Sequence, residues 1–218
     1  MKQTQLKVIA LDFDGTIVES NRIKDRAFET IFSEWPKHKE TIMNWHLVHD
    51  SIERREKFRY FVEDVLGFKE QNDLVDDLVK KFSVLTKKAI INCPFVIGVQ
   101  NFIKFIKSKF DAVYFISATP QSDLNEIIEQ RGLGETFKDV YGAPIDKVKI
   151  LKKIMLNEKI SSNEILFIGD SPEDQQAAES LGIHFIGRQS DRSLNRIANP
   201  VYPEFVQIKK HFKEKYNI

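Results

Sequence analysis

The sequence predicts an α/β protein: a doubly wound parallel sheet with an all-helical domain inserted after its first strand. Three observations predict it. Short apolar runs, LKVIAL (6–11), AVYFIS (112–117) and EILFIG (164–169), lack polar alternation, the mark of strands covered on both faces. From about residue 95 onward such runs alternate with helical patterns, as in doubly wound folds. Between about 19 and 89 there is no strand pattern, only helical periods.

In chain order, the first run ends in two acids, Asp12 and Asp14, with Phe13 between them and Gly15-Thr16 behind. The helical stretches RAFETIFSEW, ETIMNWHLVH, SIERREKFRYFVEDVLG and NDLVDDLVKKFSVLTKK follow, and NCPFVIG breaks the pattern. Residues 19–91 are therefore expected to form a cap, and residues 1–18 with 92–218 the α/β core, with hinges near 18–20 and 92–98. Asp50 and Glu53 fit a capping box for the helix that follows them. Thr119-Pro120 reads as N-cap and first position of a helix ending near Gly132, and Ser171-Pro172 likewise for one ending near Gly182. DVYG (139–142) and IHFIG (183–187) are weaker strands, and EFVQIKKHFKEKY is a helix on the outside.

The chain has 218 residues, 42% apolar and 30% charged, with a net charge of +1, so no basic field points to nucleic acid. One cysteine, Cys93, cannot form an internal disulfide and reads as a hinge or packing residue. No apolar stretch approaches the roughly 18 residues of a membrane span, and the N-terminal apolar run is too short for a signal peptide. The expectation is a soluble cytoplasmic protein, monomeric by default, with a dimer also compatible.

In a strand, Asp12 and Asp14 project to one face and Phe13 to the other. Two carboxylates at the end of a buried strand repel unless a cation lies between them, and that end is where open parallel sheets bind ligands. A polar Asp-Gly turn is the plainer alternative. Two further runs end in suitable groups: Asp170, followed by Asp174, and Ser117. Asp174 also fits a capping box with Ser171, and Ser117 a simple strand end. Of the lysines in KVKILKKIM, Lys147 falls about 40° from Leu151, the centre of the apolar face, while Lys149 falls on the solvent side.

The set resembles the haloacid dehalogenase superfamily: LDFDGT its first motif, Ser117 in FISAT its second, Lys147 in APIDKVKIL its third, GDSPED its fourth. The overall pattern is most similar to the phosphoglycolate phosphatase and β-phosphoglucomutase branch. The resemblance implies phosphoryl transfer from a small phosphorylated metabolite through an aspartyl-phosphate on Asp12, with Mg²⁺ held by the Asp12 carboxylate, the Asp14 carbonyl and Asp170. It implies phosphate contacts from Asp12, Phe13, Asp14, Gly15, Ser117, Ala118 and Lys147, and supporting roles for Thr16 and Asp174, the latter orienting Lys147 or a metal-bound water. The resemblance further implies that Asp14 protonates the leaving alcohol and then activates water, which favours phosphate monoesters. The alternatives are a phosphosugar mutase and, in another class, a phosphoaspartate signalling module.

In the cap, Arg54 lies on the apolar stripe of Phe58, Phe61, Val62 and Val65 and needs an anionic partner. With Lys57, it is expected either to contact the non-transferred part of the substrate or to pair with a cap carboxylate. His46 and His49 lack the further ligands a zinc site needs, and RGLGETF follows a helix, the wrong context for a dinucleotide loop.

Overall fold

The computed structural model describes residues 6–49, 52–192, 194 and 199–216. Among these, one six-stranded sheet runs in the order β3-β2-β1-β4-β5-β6, every pair parallel. The strands are β1 (Val8–Asp12), β2 (Ala112–Pro120), β3 (Asp139–Ala143), β4 (Ile165–Gly169), β5 (His184–Arg188) and β6 (Val201–Tyr202). From β1 the chain adds strands on one side, then returns to the other side with β4. The carboxyl ends of β1 and β4 therefore flank the point where strand order reverses, where a crevice opens.

Both faces of the sheet are covered, which explains the uninterrupted apolar runs. Ile9 and Leu11 of β1 with Leu166 and Ile168 of β4 join one core, filled by α5 (Val99–Lys107), α6 (Gln121–Gln130) and α9 (Phe205–Tyr216). Val8, Ala10, Ile165 and Phe167 face the other, filled by α7 (Lys147–Glu158) and α8 (Pro172–Leu181). The alternation is the period of two expected along a strand.

Between β1 and α5 lie α1 (Asn21–Phe32), α2 (Lys39–Val48), α3 (Arg54–Tyr60), a π-helical turn over Phe61–Val65, and α4 (Asn72–Asn92). They bury a third cluster of their own, dominated by Phe28, Phe32, Phe58, Phe61 and Phe82. Ile90, near the end of α4, already belongs to the sheet's core. No helix among the described residues is long and apolar enough to cross a membrane.

Several local expectations are corrected. Pro120 ends β2 and caps α6, so Thr119-Pro120 does not open that helix. Glu53 itself caps α3, its Oε2 accepting the N–H groups of Arg55 at 2.9 Å and Glu56 at 3.3 Å; Asp50 lies outside the described residues. Strand β6, two residues long, gave no sequence signal of its own. The Ser171–Asp174 capping box forms reciprocally, as read. His46 is buried and bonds Asp25 at 2.8 Å, a satisfied interior histidine, while His49 bonds the Trp45 carbonyl.

Candidate active site

The chain leaves β1 through a tight turn. The Phe13 carbonyl accepts the N–H of Ile17 at 2.8 Å, and the Gly15 N–H donates to the Val18 carbonyl at 2.8 Å. The Phe13 ring is thereby sent into the core, edge-on to Phe115 at 5.5 Å, while Asp12 and Asp14 remain at the crevice. Gly15 has φ +72°, and a Cβ there would lie 2.1 Å from Oδ2 of Asp170 and 2.4 Å from Nδ2 of Asn21. The Gly15 N–H is used within the turn, and its lack of a side chain leaves room for Asp170 and Asn21.

Asp12, Asp170 and Asp174 converge, with one oxygen from each lying within 4.8 Å of the others, all buried. Lys147, the first residue of α7, donates to Asp12 Oδ1 at 2.7 Å and also to Asp174 Oδ1. Asp174 thus serves two structures at once, since its Oδ2 accepts the Ser171 hydroxyl at 2.8 Å. Asp170 accepts the Thr16 hydroxyl at 3.2 Å on one oxygen and the Asn21 amide at 2.8 Å on the other. Asp14 is held by Lys24 at 2.5 Å and accepts hydroxyl bonds from Ser20 at 2.6 Å, Thr119 at 3.0 Å and Ser117 at 3.3 Å.

These surroundings set the charges. Burial pushes the Asp12 carboxyl well above the usual carboxylate range; Lys147 opposes this, while Asp174, Asp170 and Asp14 reinforce it. Burial also acts upward on Asp14, but the Lys24 ammonium and the bonds from Lys24, Ser20 and Thr119 outweigh it and hold Asp14 below that range. For Lys147 burial acts downward, and is overcome by Asp12 and Asp174, which keep the ammonium charged. Four clustered carboxylates (Asp12, Asp14, Asp170, Asp174) face two ammonium groups, Lys24 and Lys147, within ion-pair distance among the described residues. Carboxylates gathered this closely repel one another, a repulsion that one divalent cation would relieve.

A cavity of about 540 Å³ opens beside this cluster, lined on one side by Ser117, Ala118 and Lys147. Arg54 and Lys57 do not line it. Arg54 is buried and donates to Asp123 at 2.8 Å and Ser83 at 2.5 Å, its guanidinium 4.9 Å from the Phe82 ring centre. Its carboxylate partner therefore lies on α6 and is not a cap acid. Lys57 is buried with its Nζ 3.2 Å from Nδ1 of His46.

Four residues at the site escaped the sequence reading: Ser20, Asn21, Lys24 and Thr119. Only spacing hints at some of them. Thr119 follows Ser117 by two, so both face the same side of an extended chain. Lys24 follows Ser20 by four, one turn along α1.

A family model described as haloacid dehalogenase-like hydrolase matches residues 9–188. No curated protein sequence matches the chain. Among solved structures, a predicted phosphoglycolate phosphatase from Haemophilus somnus 129PT superposes with a TM-score of 0.74 at 16% identity, covering 96% of this chain and 99% of that one. A β-phosphoglucomutase from Clostridium difficile gives 0.75 at 16%, covering 98% of each. CbbY from Rhodobacter sphaeroides, in complex with xylulose-1,5-bisphosphate, gives 0.73 at 13%, covering 93% and 96%.

Proposed function

The chain belongs to the haloacid dehalogenase-like hydrolases, and from that premise we propose that it is a Mg²⁺-dependent phosphatase acting on a small phosphate monoester through an aspartyl-phosphate on Asp12. The observation that carries the reading is the buried cluster of carboxylates at the carboxyl ends of β1 and β4, Asp12, Asp170 and Asp174, with Lys147 bound into it. Its donors are hard oxygen ligands, the set that suits Mg²⁺. The Asp12 carboxylate, the Asp14 backbone carbonyl and Asp170 would hold the ion, and Thr16 and Asn21 keep Asp170 turned toward it. Bound there, Mg²⁺ supplies positive charge that offsets repulsion between Asp12 and the incoming phosphate.

Asp12 attacks phosphorus with one carboxylate oxygen, a new O–P bond forms, and the bond from phosphorus to the leaving alcohol breaks. Lys147, Ser117 and Ala118 border the space where the transferred group lies, and Lys147 supplies fixed positive charge there. Asp14 handles the protons: one goes to the leaving alkoxide, and one is later taken from the water that cleaves the acyl phosphate. Asp14 is charged in its present grip, so the acid step requires Lys24 to loosen. Lys24 sits on α1, the first helix after the turn, so a shift of that helix would release it. We read residues 19–91 as the cap and residues 1–18 with 92–218 as the core, with cytoplasmic location as the default.

The test is release of phosphate from p-nitrophenyl phosphate. Activity is expected only with Mg²⁺, and Asp12→Asn is expected to lower kcat by at least about 10³-fold. Turnover that persists after chelation, or in Asp12→Asn, would overturn the mechanism.

A further inference from the structure

The cavity beside Ser117 and Lys147 is also lined by residues of the insertion. Glu53 and Glu56 of α3 form its cap wall, and Asp146 and Glu173 contribute from the core side. Glu53 is fixed by the two backbone N–H groups it caps. The cations lining the cavity are already engaged: Lys147 with Asp12 and Asp174, and Lys149 with Asp146 at 3.0 Å. Arg54, for which contact with the non-transferred part of the substrate is one of two expectations, is engaged by Asp123 and Ser83. A carboxylate or second phosphate at the cap wall would therefore face Glu53 and Glu56, with Asp146 already offset by Lys149 and Lys147 drawn to Asp12 and Asp174. A protonated amine would meet carboxylate acceptors and form charge-assisted hydrogen bonds. Discrimination of this kind draws on repulsion of the wrong group as much as on attraction of the right one.

We propose that the physiological ester carries a protonated amine on its alcohol side, as in the phosphate monoester of an amino alcohol or amino sugar, and that Glu56 with Glu53 selects it. The assignment rests on the phosphatase reading and deepens it. It also separates this chain from enzymes that bind a second phosphate at the distal end of the substrate.

Matched esters test it: glucosamine 6-phosphate against glucose 6-phosphate, and ethanolamine phosphate against 2-hydroxyethyl phosphate, with phosphoglycolate as the anionic member. Turnover is measured with Mg²⁺, and any ester that is not turned over is measured as an inhibitor of p-nitrophenyl phosphate hydrolysis. In at least one pair the amine member is expected to exceed its hydroxyl counterpart about tenfold in kcat/KM or in inhibition, with phosphoglycolate weakest. Glu56→Gln is expected to shrink that ratio severalfold within the one variant; Glu53 is left intact because it caps α3. Equal values in both pairs, a preference for phosphoglycolate, or an unchanged ratio in Glu56→Gln would overturn the assignment. If p-nitrophenyl phosphate is hydrolysed in an Asp12-dependent manner while no pair shows a preference, the phosphatase reading stands and the amine assignment falls. If no ester releases phosphate at all, the phosphatase reading falls first and the assignment with it.

Discussion

Asp12 illustrates how one side chain couples chemistry to stability. Its carboxyl is buried, and three neighbouring acids push its proton affinity up against Lys147. A carboxyl whose folded pKa lies above its unfolded value of about 3.9 binds more protons folded than unfolded. Its favourable contribution is present at low pH and is lost as pH rises through the folded value. Asp14 works in the opposite sense: its contribution is present above about pH 4 and is lost as pH falls through its lowered folded value. The metal-free protein is thus expected to carry a repulsive burden at neutral pH that a divalent cation relieves. Saturating Mg²⁺, at about 100 times its Kd, would add about 2.7 kcal/mol. For a chain of this length that corresponds to a rise in Tm of roughly 5–10 °C. Scanning calorimetry should show the larger rise at pH 7.5 and a smaller one at pH 5. Asp12→Asn should raise the Tm of the metal-free protein and blunt the response to Mg²⁺; an unchanged response would remove Asp12 from the cation site.

The turn between β1 and α1 shows what the element scale adds. Gly15 is needed there on two counts, its left-handed φ of +72° and the 2.1 Å approach a Cβ would make to Asp170. Gly15→Ala is expected to displace Asp170 and Asn21 together, lowering kcat about 10²-fold and weakening Mg²⁺ binding. Circular dichroism should be unchanged, because Gly15 itself contributes no side chain to either sheet core. A variant that binds Mg²⁺ normally would show that the turn tolerates a side chain. Elements of this kind were unevenly legible in the sequence. Strands β1, β2 and β4 were readable to within a few residues because burial on both faces leaves an unbroken apolar run, and Asp12, Ser117 and Asp170 were readable as the polar groups ending those runs. Lys147 was readable from the apolar face of α7. Ser20, Asn21 and Lys24 were not, because polar residues opening a helix look the same whether they meet solvent or a buried carboxylate. Arg54 was readable as a buried cation, but its partner Asp123 lies 69 residues away, and no local pattern could assign it.

At the scale of the whole molecule, the insertion and the sheet each bury a hydrophobic core, and beyond the apolar contacts that Ile23, Ile90 and Ile91 make with the sheet's core they meet through polar contacts. Asp123 on α6 is gripped from the insertion by Arg54 at 2.8 Å, Ser83 at 3.0 Å and Lys87 at 3.1 Å, and Lys87 also reaches Glu126 at 2.8 Å. Burial acts upward on Asp123, but Lys87, Arg54 and Ser83 outweigh it and hold its carboxyl below the usual range, so the grip persists at neutral pH. On the other flank Arg192 pairs with Asp25 of α1 at 2.9 Å. Where ion pairs bridge the two bodies, these can separate without exposing a large apolar face, which suits a cap that must admit substrate and release product. Asp123 is the natural place to test this, because its removal leaves Arg54, 7% exposed, without its carboxylate. Unpairing a buried ion in this way destabilises by about 3–5 kcal/mol; here part of that strain can be relieved by the bodies parting and water reaching the guanidinium. Small-angle scattering should therefore find the wild-type protein near the roughly 17 Å radius of gyration of a compact chain this long, and Asp123→Ala larger by about 1 Å. The expansion should reverse in Arg54→Met/Asp123→Leu, where no charge is left to solvate. A compact Asp123→Ala protein with only a lowered Tm would make the contact a static brace rather than a latch between moving parts.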